Sequence, residues 1–310
     1  MIPYKFNQLG VSNNKLNNIS SFKIQGNSLT SMYITPVEDC VVDFGDGTKQ
    51  TFTGDNSSAP VSHSYSESNI YTIKITGNHS NFRASRNIIE IIQLANSITD
   101  CSSMFQGCSS LTAIPSTLTI PNSVTNCSQM FRACRSLTAI PETLTIPNSV
   151  TNCSNMFNSC SKITAIPETL TIPNSVTNCQ SMFNGCSKIT AIQEGFTLGN
   201  SVTNCAYMFQ NCTSLTVIPS TLTIPNSVTT CAYMFQNCTS LTSDISNIWP
   251  SAWNYTRRIN LSNMFNSCSK VVGTVPADKL WSSGKTFSAD YCFRSCTSLT
   301  NYAEIPEDWK

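Results

Sequence analysis

Cys127-Ser128-Gln129-Met130-Phe131-Arg132-Ala133-Cys134-Arg135-Ser136-Leu137-Thr138 is one copy of a phrase that the chain repeats. Its frame, Cys-x-x-Met-Phe-x-x-Cys-x-x-(Leu/Ile)-Thr, returns every 26 residues, with Met-Phe pairs at Met104-Phe105, Met130-Phe131, Met156-Phe157, Met182-Phe183, Met208-Phe209 and Met234-Phe235. Looser copies follow at Met264-Phe265 and Cys292-Phe293, where the spacing stretches to 30 and then 28 residues. Self-similarity at a fixed period of this length signals a solenoid, in which each unit buries its apolar side only against its neighbours.

Within one unit, Cys127, Met130, Phe131 and Cys134 fall at i, i+3, i+4 and i+7, which predicts the inward stripe of a short amphipathic helix. Thr125 and Asn126 stand where N-caps stand. Leu144-Thr145-Ile146 alternates as a strand does, and Pro147-Asn148-Ser149 marks a turn into the next coil. The expectation is a mixed fold with about eight coils, each a short helix plus short strands, rising about 4.8 Å per coil where strands pair. Cys127, Met130, Phe131 and Cys134 are its expected structural core.

Twelve of the sixteen cysteines sit in Cys-x6-Cys pairs. Structural zinc favours two to four residues between paired cysteines, with His support, and the only histidines, His63 and His79, lie outside the repeats. Buried free thiols fit the pattern best, because cysteine often serves as a small apolar core residue. Disulfides between rungs stay open, since neighbouring Cα atoms would be about 5 Å apart. No cofactor is implied.

Charged residues make up 11% of the chain, and the formal net charge is +1. From Cys101 to Ile248 the charges are Arg132, Arg135, Lys162, Lys188, Glu142, Glu168, Glu194 and Asp244, which cancel. A polyanion is held by clustered Lys and Arg, so nucleic acid is not an expected partner. No apolar run approaches the roughly 20 residues of a membrane-spanning helix. Met1-Ile2-Pro3-Tyr4-Lys5-Phe6 lacks the basic start and apolar stretch of a secretory signal.

The first hundred residues read differently. Val41-Val42-Asp43-Phe44-Gly45-Asp46-Gly47-Thr48 pairs a β-rich run with an Asp-Gly turn, and Tyr71-Thr72-Ile73-Lys74-Ile75-Thr76 alternates cleanly. Ser21 to Gln25, Ser31 to Thr35 and Lys49 to Thr53 are further strand candidates. Short strands with turns between them predict a β-sandwich. The expected organisation is an N-terminal segment over 1–19, a sandwich over 20–87, an apolar linker and cap over 88–100, the solenoid over 101–300 and a C-terminal tail over 301–310.

Asp43-Phe44-Gly45-Asp46-Gly47-Thr48, His63-Ser64-Tyr65 and Tyr71 to Ile75 together resemble the PKD-like immunoglobulin-type sandwich, with Val42 where a tryptophan is usual. The repeats resemble the BspA-like leucine-rich repeat family of bacterial surface proteins, in which such a sandwich is often followed by units of this kind. The resemblance implies extracellular adhesion through the solenoid, with no catalytic residues to carry over. Related modules occur in phage virion proteins, and the missing export signal points that way; a shortened form of a secreted protein is the opposing reading.

Few constellations suggest chemistry. Asp43 and Asp46 flank a glycine turn and are weak candidates for a hard cation such as Ca²⁺, although aspartate also favours turns for its own hydrogen bonding. Glu142, Glu168 and Glu194 share one position in three consecutive coils and read as a solvated row. No nucleophile elbow, phosphate loop or paired metal-binding histidines is present, so an enzyme is not expected.

Aromatic residues are the better clue. Tyr207 and Tyr233 replace small polar residues beside the inward stripe, each followed by a Gln-Asn pair that includes Gln210 or Gln236. Trp249, Trp253, Tyr255, Arg257 and Arg258 gather in the stretched coil, and Trp, Tyr and Arg are enriched at interface hot spots. An irregular coil could equally use them as a hydrophobic lid. The expected function is non-enzymatic binding of protein or glycan, at a cell surface or on a phage particle. The alternative is an architectural role among virion proteins, with the solenoid as spacer and its ends making the contacts.

Overall fold

The computed structural model describes residues 18–26, 29–250, 258–283 and 286–310. The N-terminal unit is two antiparallel sheets. Strands β1 (Ile19–Gln25), β3 (Cys40–Asp43), β4 (Lys49–Phe52), β6 (Ile70–Thr76) and β8 (Ile88–Gln93) form one sheet in the order β4-β3-β6-β1-β8; β2 (Leu29–Pro36), β5 (Ala59–Ser64) and β7 (His79–Arg83) form the other in the order β5-β2-β7. Alternation places Phe22, Ile24, Ile73 and Ile75 of the first sheet, and Ile34 and Phe82 of the second, in the core with at most 1% exposure. Phe22 stacks on Phe82 at 5.5 Å, and Phe82 meets Phe105 of the first coil edge-on at 5.8 Å, so one core runs from the sheets into the repeats.

Two expectations are corrected here. Ile88 to Leu94 is not a linker: Ile88–Gln93 pairs with β1 as the edge of the larger sheet. The cap on the first coil comes instead from the end of β7, where the Ala84 N–H donates to Met104 O at 2.7 Å.

The larger correction concerns fold class. A mixed fold of immunoglobulin-like sandwich and helix-bearing leucine-rich coils is overturned, because the described residues are β-sheet and turn with no α-helix. The helical segments are single 3-10 turns at Ala277–Lys279, Tyr302–Glu304 and Glu307–Trp309. Nor does Leu144-Thr145-Ile146 form a strand; between Pro141 and Pro147 the chain turns, with the Leu144 N–H bonded to Pro141 O.

The reason lies in where the backbone N–H groups go. Along the Cys127 run they alternate. Those of Cys127, Gln129, Phe131 and Ala133 donate to Asn152, Ser154, Met156 and Asn158 of the next coil at 2.7–2.9 Å, while those of Met130, Arg132 and Cys134 turn back three residues at 3.0–3.2 Å. An α-helix would turn those beyond its first turn back four residues along its own chain and send none to a neighbouring coil. It would also keep neighbouring axes about 8–10 Å apart, whereas the phenylalanine rings of successive coils stack at 5.2–6.0 Å from Phe105 to Phe293. Asn126 acts accordingly: its Oδ1 accepts from the Ser128 N–H at 3.0 Å, which opens a turn and caps no helix.

Each coil bends through two left-handed residues four apart, such as Gln129 (φ 59°) and Ala133 (φ 59°), or Ser181 (φ 56°) and Gly185 (φ 72°). Consecutive turns of this period put Cys127, Met130, Phe131 and Cys134 on one face, all fully buried. A side chain at such a φ costs roughly 1 kcal/mol that glycine avoids. Ala133→Gly is therefore expected to raise stability by up to about 1 kcal/mol and Gly185→Ala to lower it similarly, as read by urea unfolding. A helix would reverse both signs.

Both ends of the stack are closed by the chain itself. At the C-terminal end Phe293 N–H donates to Trp309 O at 2.7 Å and Tyr291 N–H to Asp308 O at 2.9 Å. No helix of the described residues is long and apolar enough to cross a membrane.

Candidate functional site

Register is what builds the site, because a residue type at one frame position becomes a column on the stack. The first left-handed position of each coil carries Ser181, Tyr207, Tyr233, Asn263 and Tyr291 in succession. Tyr207 and Tyr233, both half-buried, stack ring on ring at 4.7 Å with 4° between planes. Beside them runs an amide ladder: Asn184 Nδ2 donates to Gln210 Oε1 at 2.7 Å, and Gln210 Nε2 donates to Gln236 Oε1 at 2.6 Å. A second rail joins Asn237 Nδ2 to Asn211 Oδ1 at 2.9 Å. A primary amide carries two donors and two acceptor lone pairs, so each rung keeps capacity for a partner while the ladder fixes its orientation.

The column continues to a residue the sequence reading missed. Tyr291 is 49% exposed and carries the Arg294 guanidinium 5.2 Å from its ring centroid. Its frame position, two residues before Phe293 of the last copy, matches that of Tyr207 two residues before Phe209.

The stretched-coil residues fare differently. Trp249 is 2% exposed and lies edge-on to Phe265 and Phe293 at 6.1 and 6.0 Å, so it offers a partner no surface. Arg258 is exposed and donates from Nε to Phe287 O at 3.2 Å. Trp253, Tyr255 and Arg257 lie outside the described residues.

The acidic candidates are committed locally. Asp43 Oδ1 accepts from the Gly45 N–H at 2.9 Å and its carboxylate pairs with Lys49 at 3.1 Å. Asp46 accepts from the Thr48 hydroxyl at 2.6 Å, from the Thr48 N–H and from His63 Nε2 at 2.7 Å, and these bonds, the hydroxyl's first, hold its carboxyl down at about 2. His63 in turn stacks on Phe44 at 4.2 Å. The Glu142 and Glu194 carboxylates accept from Thr169 and Thr221 of the following coils at 2.9 and 3.0 Å. Among the described residues no group of three or more His, Cys, Asp or Glu could hold a metal ion.

All sixteen cysteines are buried free thiols. From the second coil on, the second cysteine of each pair donates its S–H to the phenylalanine carbonyl of the preceding coil, as Cys160 does to Phe131 O at 3.0 Å and Cys186 to Phe157 O at 3.1 Å, while Cys108 of the first coil donates to Ser85 O at 3.3 Å. Burial pushes the thiols of Cys134, Cys205 and Cys212 up to about 12 and raises those of Cys153, Cys160, Cys179, Cys186 and Cys231 as well. At neutral pH these are apolar spacers and not nucleophilic thiolates. Burial likewise pushes His79 down to about 4, its Nδ1 on Gly77 O and its Nε2 on Ser20 Oγ, which leaves it a neutral structural group.

The family model described as Mycoplasma protein of unknown function, DUF285, matches residues 76–196 and again 177–305, from the last strands of the sheet unit through the final coils. No curated protein and no solved structure matches the chain.

Proposed function

We propose that this chain, which belongs to the DUF285 family, is a non-enzymatic binding module that recognises protein or glycan through the flank of its coil stack. The observation that carries the reading is the Tyr207–Tyr233 pair, ring on ring, beside the Asn184–Gln210–Gln236 ladder. Tyrosine supplies apolar area with a polar hydroxyl, the amides supply oriented donors and acceptors, and the hydrogen-bonded coils hold both in place, which lowers the ordering cost of binding. The BspA-like character of the repeats supports a location outside the cell, on a cell surface or a phage particle. Against the spacer reading stand the two ends of the stack, each occupied by the chain's own backbone through Ala84 and Trp309.

Paired glycan and protein arrays test this. Tyr207→Ala combined with Tyr233→Ala is expected to abolish binding to proteins and to uncharged glycans on the arrays with the fold intact, because both rings stand outside the buried stripe. Binding to those ligands that survives the double variant, or none of it by the intact chain, refutes the proposal.

A further inference from the structure

A second polar site lies where the three-stranded sheet meets the first coil. Cross-strand pairing sets Tyr33 opposite Arg83 and places Thr35 and Asn81 in the next outward-facing pair of β2 and β7. With Ser58 and Ser102 they line a pocket of about 310 Å³, at the lower end of the size of small-ligand sites. The Tyr33 ring is 48% exposed.

Two features ask for a ligand. Asn81 Oδ1 is buried with no hydrogen-bond partner, although its amide nitrogen reaches Ser102 O at 3.4 Å. A buried acceptor left unpaired costs roughly 1–3 kcal/mol until a donor reaches it. The second feature is charge. Among the described residues neither Arg83 nor the neighbouring Arg86 has a carboxylate partner. Gln106 Oε1 takes one N–H of Arg83 at 2.9 Å, out of the five a guanidinium carries.

We infer that this pocket binds an acidic pyranose, a sugar residue bearing a carboxylate. The carboxylate pairs with Arg83 in the planar geometry that guanidinium favours. The Asn81 side chain turns to bring its Oδ1 to the pocket, where a ring hydroxyl donates to it; other hydroxyls exchange hydrogen bonds with Thr35, Ser58 and Ser102, and the apolar face of the ring covers Tyr33. A bare anion would use the arginine and leave the hydroxyls, the amide and the tyrosine idle. A neutral sugar would leave the guanidinium unpaired. The inference uses no residue of the Tyr207–Tyr233 column and stands or falls apart from it.

Ligand-observed NMR titration of the full chain with sodium glucuronate, glucose and inorganic phosphate at matched ionic strength tests it. Glucuronate is expected to bind at least tenfold tighter than either of the others. Arg83→Gln should erase its advantage over glucose, Tyr33→Ala should weaken both sugars alike, and the Tyr207→Ala, Tyr233→Ala double variant should leave glucuronate binding unchanged. Both pocket substitutions are at exposed side chains, so thermal melting should report an intact fold. The inference is overturned by phosphate matching glucuronate, by glucose matching it, by a preference that survives Arg83→Gln, or by no binding of glucuronate.

Discussion

Raising the pH from 8 to 10.5 in the presence of a reductant is expected to unfold the stack of coils cooperatively, with no change of salt or temperature. Cys134, Cys153, Cys160, Cys179, Cys186, Cys205, Cys212 and Cys231 are buried, and burial lifts each thiol above its ordinary value of 9.0. A group raised in this way keeps its proton in the folded chain and loses it on unfolding. Its contribution is therefore complete below pH 9 and drains as the pH climbs toward the folded value. For one thiol the loss at pH 10 is about 1.4 kcal/mol, and Cys101, Cys108, Cys238, Cys292 and Cys296 of the same stack are raised as well. Domains are stable by about 5–15 kcal/mol, so the summed loss reaches the stability of a whole domain and the midpoint should fall at or below about pH 10. Circular dichroism against pH measures it, and a matched titration with iodoacetamide should show the cysteines alkylated only across the same transition. A chain still folded after prolonged incubation at pH 11 would mean that the thiols are not shut away as described.

How much of this was legible in the sequence depends on which signal is asked. The inward face was readable at each repeat, because Cys127, Met130, Phe131 and Cys134 do point into a dry core. Their path through space was not. Spacing at i, i+3, i+4 and i+7 fits one helical face, but two successive turns of four residues produce the same stripe. The deciding marks were residues that tolerate left-handed backbone at one recurring position: Gly107, Gly185, Asn211 and Asn237. Glycine in the middle of a short helix should have counted against the helix.

In the N-terminal unit the alternating β6 was plain, whereas β5 and β7 were hidden. Pro60 in β5 is tolerated because that strand lies at a sheet edge, and His79-Ser80-Asn81-Phe82-Arg83 carries a single large apolar residue. At the candidate site the Tyr207 and Tyr233 substitutions were visible against a fixed frame. Tyr291 was legible in the same way from the copy at Cys292-Phe293, although cysteine stands there in place of methionine. Trp249 shows the limit of residue type: an aromatic suited to an interface is equally suited to a core, and only its contacts with Phe265 and Phe293 tell which.

Register itself can be tested by deletion, and it is the property on which the columns of rings, thiols and amides all rest. Removing residues 153–178 takes out one full period of 26 residues, the separation at which the Thr151 hydroxyl meets Thr125 O and that of Thr177 meets Thr151 O. Asn152 then leads into Cys179 as Asn178 did, Phe131 meets Phe183, and every ladder closes again. Removing only residues 153–165 joins Asn152 to Ile166 and leaves half a coil at the junction, where the columns of the preceding coils find no matching partner, although the coils from Cys179 onward keep their spacing to one another. The stack behaves as a one-dimensional array of like units, so hydrogen exchange on the two variants should separate cleanly. The full-period deletion is expected to keep slow exchange in all the remaining coils, and the half-period deletion to lose it in the coils on either side of the junction after Asn152. Equal protection in both variants, or loss of protection in both, would contradict the account.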